Sequence, residues 1–216
     1  MEPKSTSFVG LHPVPASYGM TIGEYAQMAN GEGWLKNGVK CNLTVIKLKN
    51  YTHNSKYKLP INPSPNLSSM EAIYLYPSLC LFEGTVVSVG RGTDHPFTVL
   101  GHPLLTQYSF SFVPEPRKGI SDNPPLKGKT CYGLDLRNEV PALIKNGHIE
   151  LKWLIEMYSA LKDKVQFFTP YFDKLAGSPK LREQIIAGES AEKIRESWQP
   201  GLNKFKEIRK KYLLYK

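Results

Sequence analysis

The stretch LFEGTVVSVGRGTDHPF, residues 81–97, determines how the rest of the chain is interpreted. It follows an apolar run and combines three glycines with two carboxylates, an arginine, three hydroxyls and a histidine. Glycine lets a ligand approach the main chain closely, so the loop is a candidate site for a polar ligand. A turn-rich loop whose glycines only satisfy backbone geometry would have the same composition. The glycine spacing matches neither a P-loop nor a dinucleotide fingerprint.

The composition is that of an ordinary globular protein with one good core. The chain has 216 residues, of which 41% are hydrophobic and 22% charged. It contains no apolar run of bilayer length, and Glu2-Pro3-Lys4 is a polar opening, so we expect neither a membrane span nor a signal peptide. The net charge of +9 raises the possibility of nucleic-acid binding, but much of the excess lies on an amphipathic C-terminal helix. A charge run of that kind usually marks a solvated face, so we expect no nucleic-acid partner.

The cysteines and histidines show no metal-ligand spacing. Cys41, Cys80 and Cys131 are odd in number and widely separated, which argues against a disulfide framework. Cys80 lies between two leucines, as a small buried apolar residue would. We therefore expect no bound metal and no cofactor.

Local signals predict strands mixed with helices. Thr21 and Glu24 fit a capping box for a helix that runs to about Asn30. Alternating β-branched residues predict a strand at Cys41–Leu48, and Ser68 or Ser69 is expected to cap a helix from Met70 to about Leu81. Further predicted elements are strands at 97–100, 108–113 and 130–136, a surface loop at 114–129 and a helix at 149–161.

The last third is predicted to be helical, with breaks at residues 177–179 and 199–201 and a helical tail over 178–216. Because the strands show no regular βαβ rhythm, the predicted fold class is mixed α/β (α+β). We expect a short mixed sheet with packed helices and the helical C-terminal tail. These elements are predicted to form a single domain spanning residues 1–216.

Other blocks of sequence accompany the glycine loop in a fixed order. They are SFVGLHPVP at 7–15, YGMTIGEYAQM at 18–28, PSPN at 63–66, YLYPSLCLFEGT at 74–85 and RKKYLLY at 209–215. Together with residues 81–97 they resemble the exo-β-N-acetylmuramidase (NamZ) family, formerly catalogued as a domain of unknown function. The resemblance runs along nearly the whole chain but covers only the C-terminal half of such enzymes.

The resemblance implies a bacterial glycoside hydrolase that releases N-acetylmuramic acid from the non-reducing end of peptidoglycan fragments, as in muropeptide recycling. Family members have an N-terminal Rossmann-like domain that carries the glutamate assigned to catalysis, with the cleft between that domain and the C-terminal one. By resemblance this chain is the C-terminal domain without that partner, so we expect little or no activity from it alone. The partner would be the N-terminal domain, in cis or as a separate chain. Relatives are commonly exported or periplasmic.

Glu83 and Asp94 are the loop's carboxylates and hence its candidate catalytic residues, because glycoside hydrolysis generally uses a pair. Alternatively, Glu83 only accepts hydrogen bonds from loop amides. Asp94 either orients the imidazole of His95 or caps a turn. The spacing between the two carboxylates, which sets retention or inversion, does not follow from the sequence.

Three further candidates each have a structural alternative. Arg91 either binds the lactyl carboxylate of muramic acid with two parallel N–H donors or forms a salt bridge with a loop carboxylate. Ser64 and Asn66 suit sugar hydroxyls, or form a turn beside proline. The turn before Thr21 either binds an anion at the N-terminus of the following helix or only caps that helix.

By resemblance, one wall of the cleft would be lined by Gly19, Met20, Thr21, Ser64, Asn66, Glu83, Gly84, Thr85, Ser88, Gly90, Arg91, Gly92 and Thr93. Tyr18 stands where many relatives have histidine. The alternative function is a binding module for cell-wall sugars without hydrolytic activity, in which the carboxylates only hydrogen-bond the ligand.

Overall fold

The computed structural model describes residues 5–7 and 10–215, and its architecture is α+β. The described helices are α1 (Ile22–Gly31), α2 (Met70–Leu79), α3 (Val140–Asn146), α4 (Lys152–Leu161), α5 (Phe172–Ala176), α6 (Lys180–Ile186) and α7 (Ala191–Lys210). The strands are β1 (Val99–His102), β2 (Phe110–Phe112) and β3 (Cys131–Asp135). The predicted fold class is confirmed.

The strands form one small antiparallel sheet in the order β1-β3-β2. In the β1·β3 pair, Gly101 lies opposite Gly133. A β-carbon at Gly133 would collide with the carbonyl oxygen of Leu100, so this glycine is required by close strand packing. Phe110 pairs with Gly133 from the other side, which makes β3 the central strand.

The core lies between the sheet and the helices of the C-terminal two thirds. Leu75 and Leu79 of α2 are fully buried, four residues apart on one helical face. Leu154, Met157 and Leu161 of α4 are also fully buried, at spacings of three and four. Each such side chain contributes about 1.5–3 kcal/mol by leaving water, so this cluster holds the elements of the site in place.

The region before Ala72 has little core of its own. Among the described residues, Met28 and Ala29 of α1 are the only buried apolar side chains in that region. The predicted strand Cys41–Leu48 is wrong for this structure, because no described strand pairs with it. It is instead anchored by two hydrogen bonds between the Asn30 side chain and the Cys41 backbone, 2.9 and 2.8 Å long.

Several predicted boundaries shift for identifiable reasons. The strand expected at Phe97 begins at Val99, because Phe97 has a φ of 56°, which no strand residue adopts. The helix expected from Ile149 begins at Lys152. Helix α2 ends at Leu79 and continues as a 3₁₀ turn over Cys80–Gly84.

One predicted break in the C-terminal helices is confirmed and one is wrong. Gly177 ends α5 in the left-handed conformation that glycine favours. Helix α7 instead continues through Pro200, although proline removes one backbone hydrogen bond there. Ile194 and Phe205 are buried on either side of Pro200, so packing against the body outweighs that loss. The tail leaves the helix after Lys210.

Candidate functional site

The glycine loop is a packed element rather than an open cradle. Ser88 and Gly101 exchange two backbone hydrogen bonds of 2.8 and 3.0 Å, which fasten the loop to β1. The Val86 amide donates to Phe167 at 3.0 Å, and the Phe97 amide donates to Val89 at 2.7 Å. These bonds fix the loop on both sides and leave its outward-facing side chains on a rigid base.

Close packing explains three of the glycines. A β-carbon at Gly84 would lie 2.5 Å from Phe172 Cα. One at Gly90 would lie 2.7 Å from the His95 carbonyl, and one at Gly92 would lie 2.6 Å from the Glu115 carbonyl. All three glycines are buried, so in this structure they shape the loop from within.

The loop hydroxyls satisfy local backbone groups. Thr85 Oγ1 donates to Phe82 at 2.9 Å, and Thr93 Oγ1 donates to Gly90 at 2.7 Å. Ser88 Oγ accepts from the Gly90 amide at 3.2 Å and is almost fully buried. Their geometry is that of turn stabilisation, the structural alternative raised by the sequence.

Glu83 and Arg91 form an ion pair at the loop surface. Arg91 Nη2 donates to Glu83 Oε2 at 2.6 Å, with the side chains 31% and 25% exposed. The guanidinium carbon also lies 5.0 Å from the centroid of the Phe97 ring, a cation–π distance. Arg91 is therefore held both by Glu83 and by the Phe97 ring, while both charged side chains stay partly exposed to solvent.

Phe97 is a strained residue beneath this pair. Its positive φ is an outlier for a bulky side chain, and its ring is fully buried. The ring packs edge-on against Tyr76 of α2, with centroids 5.1 Å apart. Backbone strain of this kind persists only where the surroundings enforce it and is concentrated at functional sites.

Tyr76 lies close enough to Glu83, Arg91 and Tyr171 to interact with them electrostatically. Tyr76 and Tyr171 are 36% and 37% exposed. Burial raises the pKa of Tyr76, and the negative charge of Glu83 raises that pKa further. We call Tyr76, Glu83, Arg91 and Tyr171 the tyrosine shelf. An arginine–carboxylate pair near phenol rings offers donors, acceptors and flat apolar faces, which together suit a sugar acid.

Asp94 forms its hydrogen bond with Arg117 and not with its neighbour His95. Asp94 Oδ1 accepts from Arg117 Nη1 at 2.8 Å, and the carboxylate is 77% exposed. Among the described residues, no hydrogen bond joins Asp94 to the His95 ring. Orientation of the imidazole by Asp94, one of the two alternatives raised by the sequence, is therefore not observed among the described residues.

The Ser64–Asn66 turn reaches the same side of the molecule through the predicted surface loop. The Asn66 amide donates to Ser64 Oγ at 3.3 Å, which is the turn geometry. Asn66 Nδ2 donates to Ile120 at 3.2 Å, and Ile120 belongs to the turn that carries Arg117. Asn66 Oδ1 is buried with no hydrogen-bond donor among the described residues. The loop at 114–129 thus connects Asn66 with Asp94.

The Gly19–Thr21 turn forms the expected capping box. The Thr21 amide donates to Glu24 Oε2 at 2.8 Å, and the Glu24 amide donates to Thr21 Oγ1 at 3.3 Å. The Gly19 carbonyl accepts from the Arg209 guanidinium, with Nε at 2.9 Å. The helix N-terminus is therefore occupied by the protein's own carboxylate, which is the capping alternative.

Glu24 has a larger role than the sequence indicated. Its side chain is fully buried, and Oε1 accepts from the Leu214 amide at 2.7 Å and from His53 Nε2 at 3.0 Å. Burial alone would raise the pKa of Glu24, but bonds from the Thr21 and Leu214 amides, His53 and the Thr21 hydroxyl outweigh it. The pKa falls to about 2. Because Leu214 is 190 residues from Glu24 in the chain, this contact could not be predicted from the local sequence.

The C-terminal residues 209–215, which we call the strap, fasten α1 to the body. Tyr212 OH donates to Glu32 Oε1 at 2.7 Å, and Lys211 Nζ lies 3.4 Å from the same oxygen. Tyr215 OH accepts from the Leu48 amide at 3.0 Å. Arg209 and Lys211 of the strap thus contact the protein, while Lys204, Lys206 and Lys210 of the predicted basic face are exposed to solvent.

Neither a metal centre nor a membrane span emerges from the described residues. Within residues 5–7 and 10–215, no three His, Cys, Asp or Glu side chains are grouped to hold a metal ion. The helices described here are all too short or too polar to cross a bilayer. The three cysteines are free, and burial raises the pKa of the Cys80 thiol to about 11.

Sequence comparison assigns both parts of the chain to one family. Residues 74–215 match the family described as exo-beta-N-acetylmuramidase NamZ, C-terminal. Residues 1–71 match the corresponding N-terminal family. Residues 1–71 therefore resemble the N-terminal region of these proteins, which corrects the expectation that the whole chain corresponds to the C-terminal domain. The predicted single domain over 1–216 stays a prediction.

The relatives are longer than this chain. The peptidoglycan beta-N-acetylmuramidase NamZ of Bacillus subtilis is 35% identical over the whole chain, which covers 55% of that protein. A crystal structure of a DUF1343 family protein from Bacteroides fragilis is 48% identical, with a TM-score of 0.96, and the chain covers 61% of it. A second such structure from that organism, at 23% identity and a TM-score of 0.77, shares the fold. The chain belongs to the exo-beta-N-acetylmuramidase NamZ family.

Proposed function

We propose that this chain forms one wall of the cleft of a peptidoglycan-fragment glycoside hydrolase that releases N-acetylmuramic acid from non-reducing ends. The observation that supports this most is the family match along residues 74–215, together with the 35% identical NamZ of Bacillus subtilis. Muropeptide recycling is the process in which such a product would be used. The chain spans about half the length of that relative, so the remaining part is the proposed source of the other wall.

Within this wall, the tyrosine shelf is the proposed contact for the sugar. N-acetylmuramic acid carries a lactyl carboxylate, and a guanidinium binds carboxylates with two parallel hydrogen bonds. Arg91 donates to Glu83 through Nη2, and both side chains are partly exposed to solvent. A lactyl carboxylate would approach Arg91 from its exposed side, while Tyr76 or Tyr171 packs against the sugar ring.

The two loop carboxylates suit binding better than proton transfer. Glu83 is paired with Arg91 at 2.6 Å, and Asp94 with Arg117 at 2.8 Å. Each carboxylate is already paired with an arginine, and the Asp94 side chain is 77% exposed to solvent. We therefore assign the acid–base chemistry to the partner region and predict that the chain alone is inactive or nearly so.

A hydrolysis assay tests this assignment. The substrate is para-nitrophenyl N-acetylmuramide, offered to the chain alone and to the chain mixed with the N-terminal portion of a longer relative. We expect turnover only in the mixture, reduced at least tenfold by Arg91→Ala but not by Arg137→Ala, which removes an ion pair of similar exposure. Glycosidase-like turnover by the chain alone would place catalytic carboxylates within it.

A cell-wall sugar-binding module without hydrolytic activity is the second candidate. The observation that favours it is the arginine pairing of both Glu83 and Asp94. On this account the chain alone binds N-acetylmuramic acid, and Arg91→Ala weakens the affinity at least tenfold. Calorimetry measures this affinity, with N-acetylglucosamine as the control sugar because it lacks the lactyl group. Binding without hydrolysis in any mixture would favour the module.

A further inference from the structure

Arg91 keeps most of its hydrogen-bond donors unused. A guanidinium carries five N–H donors in one plane, and Arg91 donates to Glu83 through Nη2. Among the described residues, none accepts from Arg91 Nε or Nη1, and none donates to Glu83 Oε1. These unpaired atoms are not buried, since the Arg91 side chain is 31% exposed. A ligand can therefore reach them, and its affinity will depend on how firmly the guanidinium is held.

The ring of Phe97 supports this guanidinium. The Arg91 Cζ atom lies over the ring, 5.0 Å from its centroid, which is a cation–π distance. The ring itself is 1% exposed and packs edge-on against Tyr76, with centroids 5.1 Å apart. Because the ring is enclosed by close-packed neighbours, it offers Arg91 a surface that does not swing aside. One buried ring thus contacts two members of the tyrosine shelf.

The backbone at Phe97 indicates that the turn alone does not call for phenylalanine. Its φ of 56° is the left-handed conformation, which glycine and asparagine adopt far more readily. Residues 81–97 have glycine at their other positive-φ positions, Gly90 and Gly92. The Phe97 amide donates to the Val89 carbonyl at 2.7 Å, which holds the residue in this conformation. A bulky side chain at a strained position points to a role for its ring.

We propose that Phe97 is a positioning residue for recognition of the sugar acid. Its ring holds the Arg91 guanidinium beside Glu83, so that the unused donors are ready for the lactyl carboxylate. Phe97 touches no ligand itself, because it is buried. This inference rests on the proposed function, in which Arg91 binds that carboxylate. It makes the preference for N-acetylmuramic acid over N-acetylglucosamine depend on a residue beneath the ion pair.

The physical basis is pre-organisation. A mobile arginine loses its choice of rotamers when it binds a carboxylate, and this loss weakens binding. Arg91 is already ordered, since Glu83 bonds its Nη2 and the Phe97 ring lies against its Cζ. Removing the ring should therefore weaken the binding of a sugar that carries a carboxylate and leave the binding of a neutral sugar unchanged.

A double-mutant cycle on the chain separates positioning from core packing. Calorimetry gives the Kd of N-acetylmuramic acid for Phe97→Leu, Arg91→Ala and the double variant. We expect Phe97→Leu to weaken binding about fivefold or more, because the cation–π contact and the order of Arg91 are lost. In the Arg91→Ala background, the same change should alter the Kd by less than about twofold. An equal loss in both backgrounds would overturn the proposal.

Phe167→Leu is the matched control. The Phe167 ring is 2% exposed in the same apolar core, and its described ring contacts are with Tyr158 and Phe168, outside the tyrosine shelf. Both variants lose a buried ring, so both should melt earlier, but only Phe97→Leu should change the Kd. An equal change of Kd in both would assign the effect to core packing and refute the proposal. Phe97→Met, with its adaptable side chain, replaces Phe97→Leu if that variant does not fold.

The order of the Arg91 side chain is a readout that needs no ligand. Relaxation of ¹⁵N at Arg91 Nε should show a rigid group in the unchanged chain and in Phe167→Leu, and a mobile one in Phe97→Leu. Equal order in all three proteins would contradict the positioning role, whether or not the chain binds a sugar.

The two proposals fail separately. If the unchanged chain binds N-acetylmuramic acid no more tightly than N-acetylglucosamine, the proposed contact between Arg91 and the lactyl group is removed. The relaxation measurement then decides alone whether Phe97 positions Arg91. If the chain prefers N-acetylmuramic acid but Phe97→Leu leaves both the Kd and the order of Arg91 unchanged, the function remains and the positioning role is removed.

Discussion

Residues 10–71 and residues 72–215 differ in what stabilises them. The later region buries a continuous apolar core, whereas in the earlier one Met28 and Ala29 are the only buried apolar side chains described. The earlier region is held instead by polar contacts, with Glu24, Glu32 and the strap at their centre. The later region is therefore held mainly by apolar burial, and the earlier one mainly by hydrogen bonds and ion pairs to the strap.

The largest contrast is expected from matched leucine truncations. Leu154→Ala should lower the free energy of unfolding by about 2–5 kcal/mol, because the side chain is fully buried in α4. Leu48→Ala, at a 60% exposed leucine of the earlier region, should change it by less than about 0.5 kcal/mol. Urea unfolding of both variants measures the difference, and equal losses would mean that the earlier region shares the core.

Acid should release the earlier region first. The folded-state pKa of Glu24 is about 2 against an ordinary 4.5, so ionised Glu24 stabilises the fold above pH 4.5. That contribution, up to about 3 kcal/mol, is lost as the pH falls from 4.5 through 2. Unfolding at pH 7, 4 and 2.5 measures it. Glu24→Gln should reduce the pH dependence in this window, whereas Glu196→Gln, a helix-surface control, should retain it. The remaining dependence comes from carboxylates whose pKa is also lowered by hydrogen bonds, namely Glu32, Glu71, Asp135 and Glu192.

A pair of glycine substitutions tests the packed loop. Gly84→Ala should cost about 1–3 kcal/mol, because its β-carbon would meet the backbone of Phe172. Gly201→Ala, in the interior of α7 with no atom within 4 Å, should stabilise by up to about 1 kcal/mol. Thermal unfolding of both variants checks the signs. If Gly84→Ala left the melting temperature unchanged, the loop would have to shift to make room for the β-carbon.

The smallest effect concerns the strap. Tyr212→Phe removes the bond to Glu32 and should lower the local stability of α1 by about 1 kcal/mol. Amide exchange of residues 24–31 measures this, and exchange in α4 should be unaffected. Tyr57→Phe, at an exposed tyrosine, is the control. Equal effects in both helices would indicate that the two regions unfold together.

Sequence reasoning succeeded where the signal was local. The capping box at Thr21 and Glu24 and the break at Gly177 are confirmed, because each depends on a few adjacent residues. The strand Cys41–Leu48 failed for an equally physical reason: periodicity indicates which residues suit a strand, but pairing requires a neighbour. Among the described residues there is none.

In the candidate site, too, the sequence indicated some residues and missed others. The sequence singled out Glu83 and Arg91, and a salt bridge between them was one of the two alternatives for Arg91. It missed Tyr76 and Tyr171, since helix α2 and the segment before α5 reach the loop only through tertiary packing. It also gave Glu24 a local role alone, because its partners His53 and Leu214 are distant in the chain.

The most direct measurement is amide hydrogen exchange along the chain alone. Our account predicts slow exchange in α2, α4 and β3, whose apolar residues form the core, and exchange near the unprotected rate at residues 42–47. Helix α1 should lie between these limits, held by the strap. Uniformly slow exchange through residues 42–47 would show instead that these amides have hydrogen-bond partners and that the two regions are stabilised alike.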